Sequence, residues 1–137
     1  MSEPRPAIVR FVRAVANVER AGGGGADDAE VAARVVLRLY RELSQLIGPA
    51  GFDVLLARSV VVARRTRPAL ADVTAGPAGA VTGLDVASRD EAIGEGALAI
   101  VAHFIDLLAT LIGEDLAMAL VGKVWPVVPA VEEEEEK

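Results

Sequence analysis

The chain of 137 residues contains no cysteine, and this absence excludes several kinds of chemistry. Disulfide bonds, thiolate metal sites and cysteine nucleophiles all need that side chain. Histidine is nearly as scarce, because His103 is the only one in the chain. A di-iron bundle needs Glu-x-x-His motifs on facing helices, so a single histidine does not provide its ligands. We therefore expect neither a bound metal nor a cofactor.

Aromatic residues make up only 4% of the chain, and the formal net charge is −6. Proteins that bind nucleic acid need a positive surface, and those that bind single strands also use aromatic rings on which bases stack. Neither feature is present in this sequence. We therefore expect no nucleic-acid partner.

The chain also lacks a clean apolar run of membrane-spanning length. The longest one, residues 97–112, is interrupted by His103 and Asp106, and a bilayer needs roughly 20 apolar residues. The first six residues are polar, and no signal-peptide pattern follows them. We predict that residues 97–112 form a buried helix and that the protein is cytoplasmic.

Small apolar residues are abundant. Hydrophobic residues make up 53% of the chain and the mean hydropathy is +0.40, which is high for a free-standing soluble domain. Because aromatic rings are few, this content comes from alanine, valine, leucine and isoleucine. Apolar surface beyond what one small core can hide usually contacts a partner.

An amphipathic helix is predicted over residues 6–20, with Arg10, Arg13 and Arg20 on its polar face. The four consecutive glycines at 22–25 read as a flexible tether. We assign residues 1–21 to an N-terminal helix, 22–26 to a linker, 27–126 to a helical bundle and 127–137 to an acidic, disordered tail. The tether leaves open whether the first helix packs on its own body or on another molecule.

Glycine and proline residues mark the boundaries of four main helices in the bundle. The first begins at Asp27 or Asp28 and stops before Gly48, and the second runs from Pro49 to about residue 67. Residues 75–87 read as a loop, and Ser88 opens a capping box for the third helix. This third helix ends before Gly113, and the last helix runs from residue 114 to residue 125.

The bundle contains two similar stretches 65 residues apart: residues 43–48 (LSQLIG) resemble residues 108–113 (LATLIG). In both, a helix ends in Leu-Ile-Gly and a second helix starts without a spacer. We predict an all-α bundle of about four main helices, formed by a duplicated helix-turn-helix hairpin, with the N-terminal helix tethered to it.

Candidate catalytic groups are few. His103 and Asp106 lie three residues apart, as a base and its carboxylate would on a helix. They fall on a thin polar stripe, however, where we expect solvent. The glycine run lacks the Gly-Lys-Ser/Thr ending of a phosphate loop, and no serine lies in a nucleophile-elbow context. We therefore expect no enzymatic activity.

The function favoured by the sequence is a non-catalytic interaction or scaffold module that self-associates, most simply as a dimer, through apolar helix faces. One alternative makes the basic N-terminal helix a docking peptide for a protein partner or, less favoured, a membrane surface. Another alternative is a carrier of a small apolar ligand. The residues predicted to carry the contacts are Phe11, Val15, Phe52, Leu56, Val101, Phe104, Leu108 and Trp125.

Overall fold

A computed structural model describes residues 3–22, 28–83 and 91–126, and in these ranges the chain forms a bundle of five α-helices with a small β-hairpin. The helices are α1 (Pro6–Gly22), α2 (Asp28–Ile47), α3 (Pro49–Thr66), α4 (Glu91–Ile112) and α5 (Glu114–Val124). The all-α class is thereby confirmed. The cap predicted at Ser88, the linker at 23–26 and the acidic tail lie outside the described residues.

Two glycines produce the sharp α2–α3 and α4–α5 turns. Gly48 has φ 83° and ψ 152°, and Gly113 has φ 98° and ψ 144°. This region of backbone conformation is essentially restricted to glycine. In each turn the glycine amide donates to the carbonyl four residues earlier, and its own carbonyl accepts from the amide four residues later. The predicted helix boundaries at both glycines are confirmed.

Substitution of these glycines by alanine tests the turns. We expect Gly48→Ala and Gly113→Ala each to lower the free energy of unfolding by about 1–3 kcal/mol, because the added Cβ forces a strained backbone. Neither Cβ would meet another atom within 4 Å, so strain alone causes the loss.

The matched control is Gly122→Ala in α5, where a Cβ also has open space and φ is not positive. This change should stabilise the chain by about 0.5–1 kcal/mol. Urea unfolding of the three variants measures the loss of stability expected at Gly48 and Gly113 and the gain expected at Gly122. Equal effects at Gly48, Gly113 and Gly122 would contradict the assigned turn geometry.

Helices α2 and α4 run side by side in the same direction. At their first turns, a Cβ on Gly94 would lie 2.8 Å from the Cβ of Asp28. Further along, the Phe52 ring of α3 contacts both Tyr40 of α2 and Phe104 of α4, with centroid distances of 5.1 and 4.7 Å. The α2–α3 and α4–α5 turns therefore lie at one end of the bundle.

Helix α1 packs on this body with its apolar face inward. Ile8, Phe11, Val12, Val15 and Ala16 are each at most 5% exposed. At the start of the helix, the Arg5 guanidinium donates to the Asp106 carboxylate of α4 at 2.7 Å, and at its end Arg20 pairs with Asp28 of α2. These two contacts fix α1 antiparallel to α2 and α4.

A buried carboxylate joins the end of α1 to α2 and to the end of α5. Glu19 is 9% exposed and accepts a hydrogen bond from the Trp125 indole Nε1–H at 2.8 Å. It also pairs with two arginines of α2: the Arg38 Nε lies 3.0 Å from the same oxygen, and the Arg34 Nε lies 3.9 Å from the other oxygen. Trp125 thus packs in the core at the end of α5 and satisfies its one side-chain donor inside the protein.

The sequence predicted a plain loop between α3 and α4, but the described part of this segment, up to residue 83, contains a β-hairpin. Residues Thr74–Ala75 (β1) and Val81–Thr82 (β2) pair antiparallel, and a short helical turn at Pro77–Gly79 connects them. Leu70 and Val73, just before β1, are buried in the main core. Asp53 of α3 accepts a hydrogen bond from the Ala78 amide at 3.2 Å. These long-range contacts hold the segment in place and are not visible in its Gly- and Pro-rich composition.

Candidate functional site

The eight residues predicted to contact a partner all lie in the core of the single chain. None of them is more than 3% exposed. Phe52 and Phe104 contact each other in the centre, and Phe11 and Val15 attach α1 to the bundle. A partner docking on this folded chain would therefore touch other residues.

Helix α4 is covered by the rest of the chain over most of its length. It packs against the other four helices, and its residues from Ile100 to Ile105 are all buried. Its segment Ile93–Ile112 is long and apolar enough to cross a membrane, with a mean hydropathy of 1.8, but the core helix of a bundle meets the same criterion. Among the described side chains of α4, Leu111, near the end of the helix, is the one large apolar side chain that is exposed.

Apolar side chains do remain exposed where the two glycine turns meet. Leu46, Leu111 and Leu116 are 63%, 71% and 52% exposed, and we call these three side chains the leucine end. Leu46 follows the buried Leu39 and Leu43 at helical spacing, and Leu111 likewise follows Phe104 and Leu108. Both leucines thus continue the core-facing stripes of their helices beyond the point where the core is covered.

The first two members of the leucine end lie at the same height. Leu46 is 18 residues beyond Asp28 and Leu111 is 17 residues beyond Gly94, the two positions that touch at the other end. A helix rises about 1.5 Å per residue, so the two leucines lie at similar heights on two parallel helices. The repeated Leu-Ile-Gly sequence marks both positions, but the sequence alone did not reveal that both lie at one end of the bundle.

Charged side chains border both halves of the leucine end. Arg41 and Glu42 are exposed about one turn before Leu46 on α2, so this half carries one charge of each sign. Glu114 and Asp115 form the acidic first turn of α5, between Leu111 and Leu116. Glu114 is already paired with Arg5, whose Nε lies 3.5 Å from its carboxylate, whereas Asp115 is exposed.

His103 does not lie on a solvated stripe, contrary to the expectation from sequence. It is 7% exposed and lines a cavity of about 510 Å³ between α1, α4 and the end of α3. Burial lowers the pKa of the imidazole, while the nearby carboxylates of Asp106 and Glu3 oppose that shift and Arg67 adds to it. Asp106 is paired with Arg5 at 2.7 Å, and among the described residues no hydrogen bond joins it to His103.

The lowered pKa of His103 predicts a loss of stability in mild acid. As the pH falls from about 7.5 to about 5.5, the unfolded chain binds a proton near pH 6.5 while the folded chain resists it. Unfolding then becomes easier, and the effect grows until the pH passes below the folded pKa. His103→Gln removes this contribution, so urea unfolding should show a smaller decrease for the variant. Equal decreases in both proteins would contradict this assignment.

The described residues contain no group of three or more His, Asp or Glu side chains arranged to hold a metal ion. The buried hydroxyl of Ser59 donates to the Leu55 carbonyl of its own helix at 2.8 Å, an internal contact common for serine in helices. The geometry thus supplies two features that a ligand or partner could use, the leucine end and the cavity beside His103.

The position of α1 bears on the docking-peptide alternative. Its apolar face is covered by α2 and α4, and Arg20 on its polar side is paired with Asp28. To bury that face in a membrane surface or a partner groove, the helix would first have to leave its own body. The folded arrangement therefore gives this alternative no exposed apolar surface.

No family model, curated protein or solved structure matches the chain.

Proposed function

We propose that this protein is a non-catalytic interaction module that self-associates through the leucine end into a dimer. The observation that carries the proposal is that Leu46 and Leu111, the last members of two core stripes, lie at similar heights on two parallel helices and stay largely exposed. Exposed leucines at one end of a bundle are the type of surface that association covers. Cytoplasmic location is part of this proposal.

A second copy of the same chain is the occupant that pairing of Arg41 with Asp115 favours. A two-fold axis through the leucine end places the α2 half of each copy over the α5 half of the other. Arg41 of one copy then approaches the exposed Asp115 of the other, while the leucines of both copies meet at the centre. One patch thus supplies both sides of the contact.

The size of the surface sets the expected strength. Stable interfaces bury about 800 Å² per partner, whereas the leucine end has only three exposed leucines, with a few charged side chains beside them. We therefore expect a dimer with a dissociation constant in the micromolar range.

The equivalence of the two turns also supports a duplicated origin for α2–α3 and α4–α5, which we include in the proposal. Both junctions place a glycine of positive φ and extended ψ between two helices without a spacer. The α2–α3 unit contributes Leu46 to the leucine end, and the α4–α5 unit contributes Leu111 and Leu116. Fusion of one unit to itself in place of the natural pair tests this origin, and a folded bundle would support it.

Cross-linking of single cysteines tests the dimer, because the natural chain has none. Leu111→Cys should be joined efficiently to a second copy by a short bis-maleimide. Arg65→Cys is the control, an exposed position in the last turn of α3 at the opposite end of the bundle. Efficient cross-linking at residue 65 and none at residue 111 would refute the proposed surface.

A further inference from the structure

The cavity beside His103 is a second feature, separate from the leucine end. Its apolar lining residues are Val9 and Val12 of α1 and Leu98, Ala99 and Ala102 of α4. We call these five side chains the floor of the cavity. Its volume of about 510 Å³ is within the range of small-molecule sites. This volume and these apolar side chains can accommodate a compact aliphatic group.

Charged side chains of both signs surround this floor. Asp28 is one of them but is paired with Arg20. The other four are Arg13 and Arg67, which are positive, and Glu3 and Glu95, which are negative. None of the four belongs to an ion pair within 4 Å among the described residues, although cations and carboxylates line the same cavity. Their hydrogen-bonding capacity is available to a molecule that enters.

His103 adds a buried polar group at this site. The side chain is more than nine-tenths buried and lines the cavity, and among the described residues no hydrogen bond engages it. A neutral imidazole carries one N–H donor and one acceptor nitrogen. It can therefore accept from an ammonium group or donate to a carboxylate.

From this arrangement we propose that the cavity binds a small zwitterion with an aliphatic side chain, that is, an apolar α-amino acid. The aliphatic group packs on the valine, leucine and alanine floor. Arg67 and Arg13 receive the carboxylate, while Glu3 and Glu95 receive the ammonium group, with His103 completing the polar contacts. A ligand with one charge would pair with the two arginines or with the two glutamates but not with both, so a zwitterion forms more charge-assisted hydrogen bonds.

The test compares three compounds that share one branched alkyl group: L-leucine, 4-methylpentanoate and 3-methylbutylamine. Each is titrated into the full-length protein while amide and imidazole NMR signals are followed. We expect saturable shifts at residues lining the cavity, with leucine binding at least about tenfold more tightly than either singly charged compound. Absence of saturable leucine binding overturns the proposal, as does equal binding of the acid or the amine alone.

Two variants assign the binding to this cavity. Arg67→Gln should weaken leucine binding about tenfold or more, whereas Arg65→Gln, an exposed arginine outside the lining, should leave it unchanged. Ala99→Phe fills the floor from a half-buried position and should abolish binding while thermal unfolding confirms the fold. Leucine binding that persists in both Arg67→Gln and Ala99→Phe would place the site elsewhere and refute the inference.

Discussion

Removal of residues 1–26 is expected to unfold the remaining chain. The deletion uncovers the surface on which Ile8, Phe11, Val12 and Val15 pack, and it leaves Trp125 without the carboxylate of Glu19. Burial of each large apolar side chain contributes about 1.5–3 kcal/mol, and a domain of this size is stable by about 5–15 kcal/mol in total. The loss is therefore comparable to the whole stability of the fold.

A milder form of the same experiment gives a measurable number. Phe11→Ala should lower the free energy of unfolding by about 3–5 kcal/mol, because the ring is 3% exposed and its removal leaves a cavity between α1 and the bundle. Asn17→Ala, at an exposed position on the same helix, is the control and should change it by less than about 0.5 kcal/mol. Denaturant unfolding measures both.

The outcome separates two roles for α1. If the shortened chain stayed folded and only lost a partner, the helix would be a detachable docking peptide. If it unfolds, the helix is part of the core, as its buried face indicates. The glycine-rich sequence between α1 and α2 is compatible with both roles and does not decide between them.

The double variant Leu46→Gln/Leu111→Gln is expected to convert the proposed dimer to a monomer. In a two-fold interface each substitution acts twice, so four leucines lose their apolar contact. At about 1–2 kcal/mol for each exposed leucine covered, the dissociation constant should rise by at least about a thousandfold. Because both side chains are largely exposed in the single chain, stability of the monomer should change little.

A matched control uses exposed apolar residues that lie away from the leucine end. Leu37 and Val61 are 46% and 37% exposed in the middle of α2 and α3. Leu37→Gln/Val61→Gln lowers the surface hydrophobicity by a similar amount and should leave the dimer intact. Equal weakening by both double variants would indicate nonspecific association and contradict a defined interface.

The sequence predicted the helices well because their ends are marked locally. Gly48-Pro49 and Gly113-Glu114 stop one helix and start the next, and the apolar spacing on each side fixes the helical state. The same spacing shows which face of a helix is apolar. It does not show what covers that face, since covering is decided by contacts far apart in the chain.

Three findings show where that limit applies. Asp106 is paired with Arg5, 101 residues away, and Glu19 accepts from Trp125, 106 residues away. His103 is buried because α1 and the end of α3 fold over its side of α4. The eight residues predicted as contacts were chosen for apolar character, which marks a core and an interface equally. Exposure alone distinguishes Leu46 and Leu111 from them, and exposure requires the fold.

Sedimentation velocity of the unmodified protein tests self-association most directly. The account predicts a concentration-dependent shift through the micromolar range toward a species of twice the 14.2 kDa of one chain, with the shift absent in Leu46→Gln/Leu111→Gln. A single 14.2 kDa species at every concentration up to the millimolar range would contradict it.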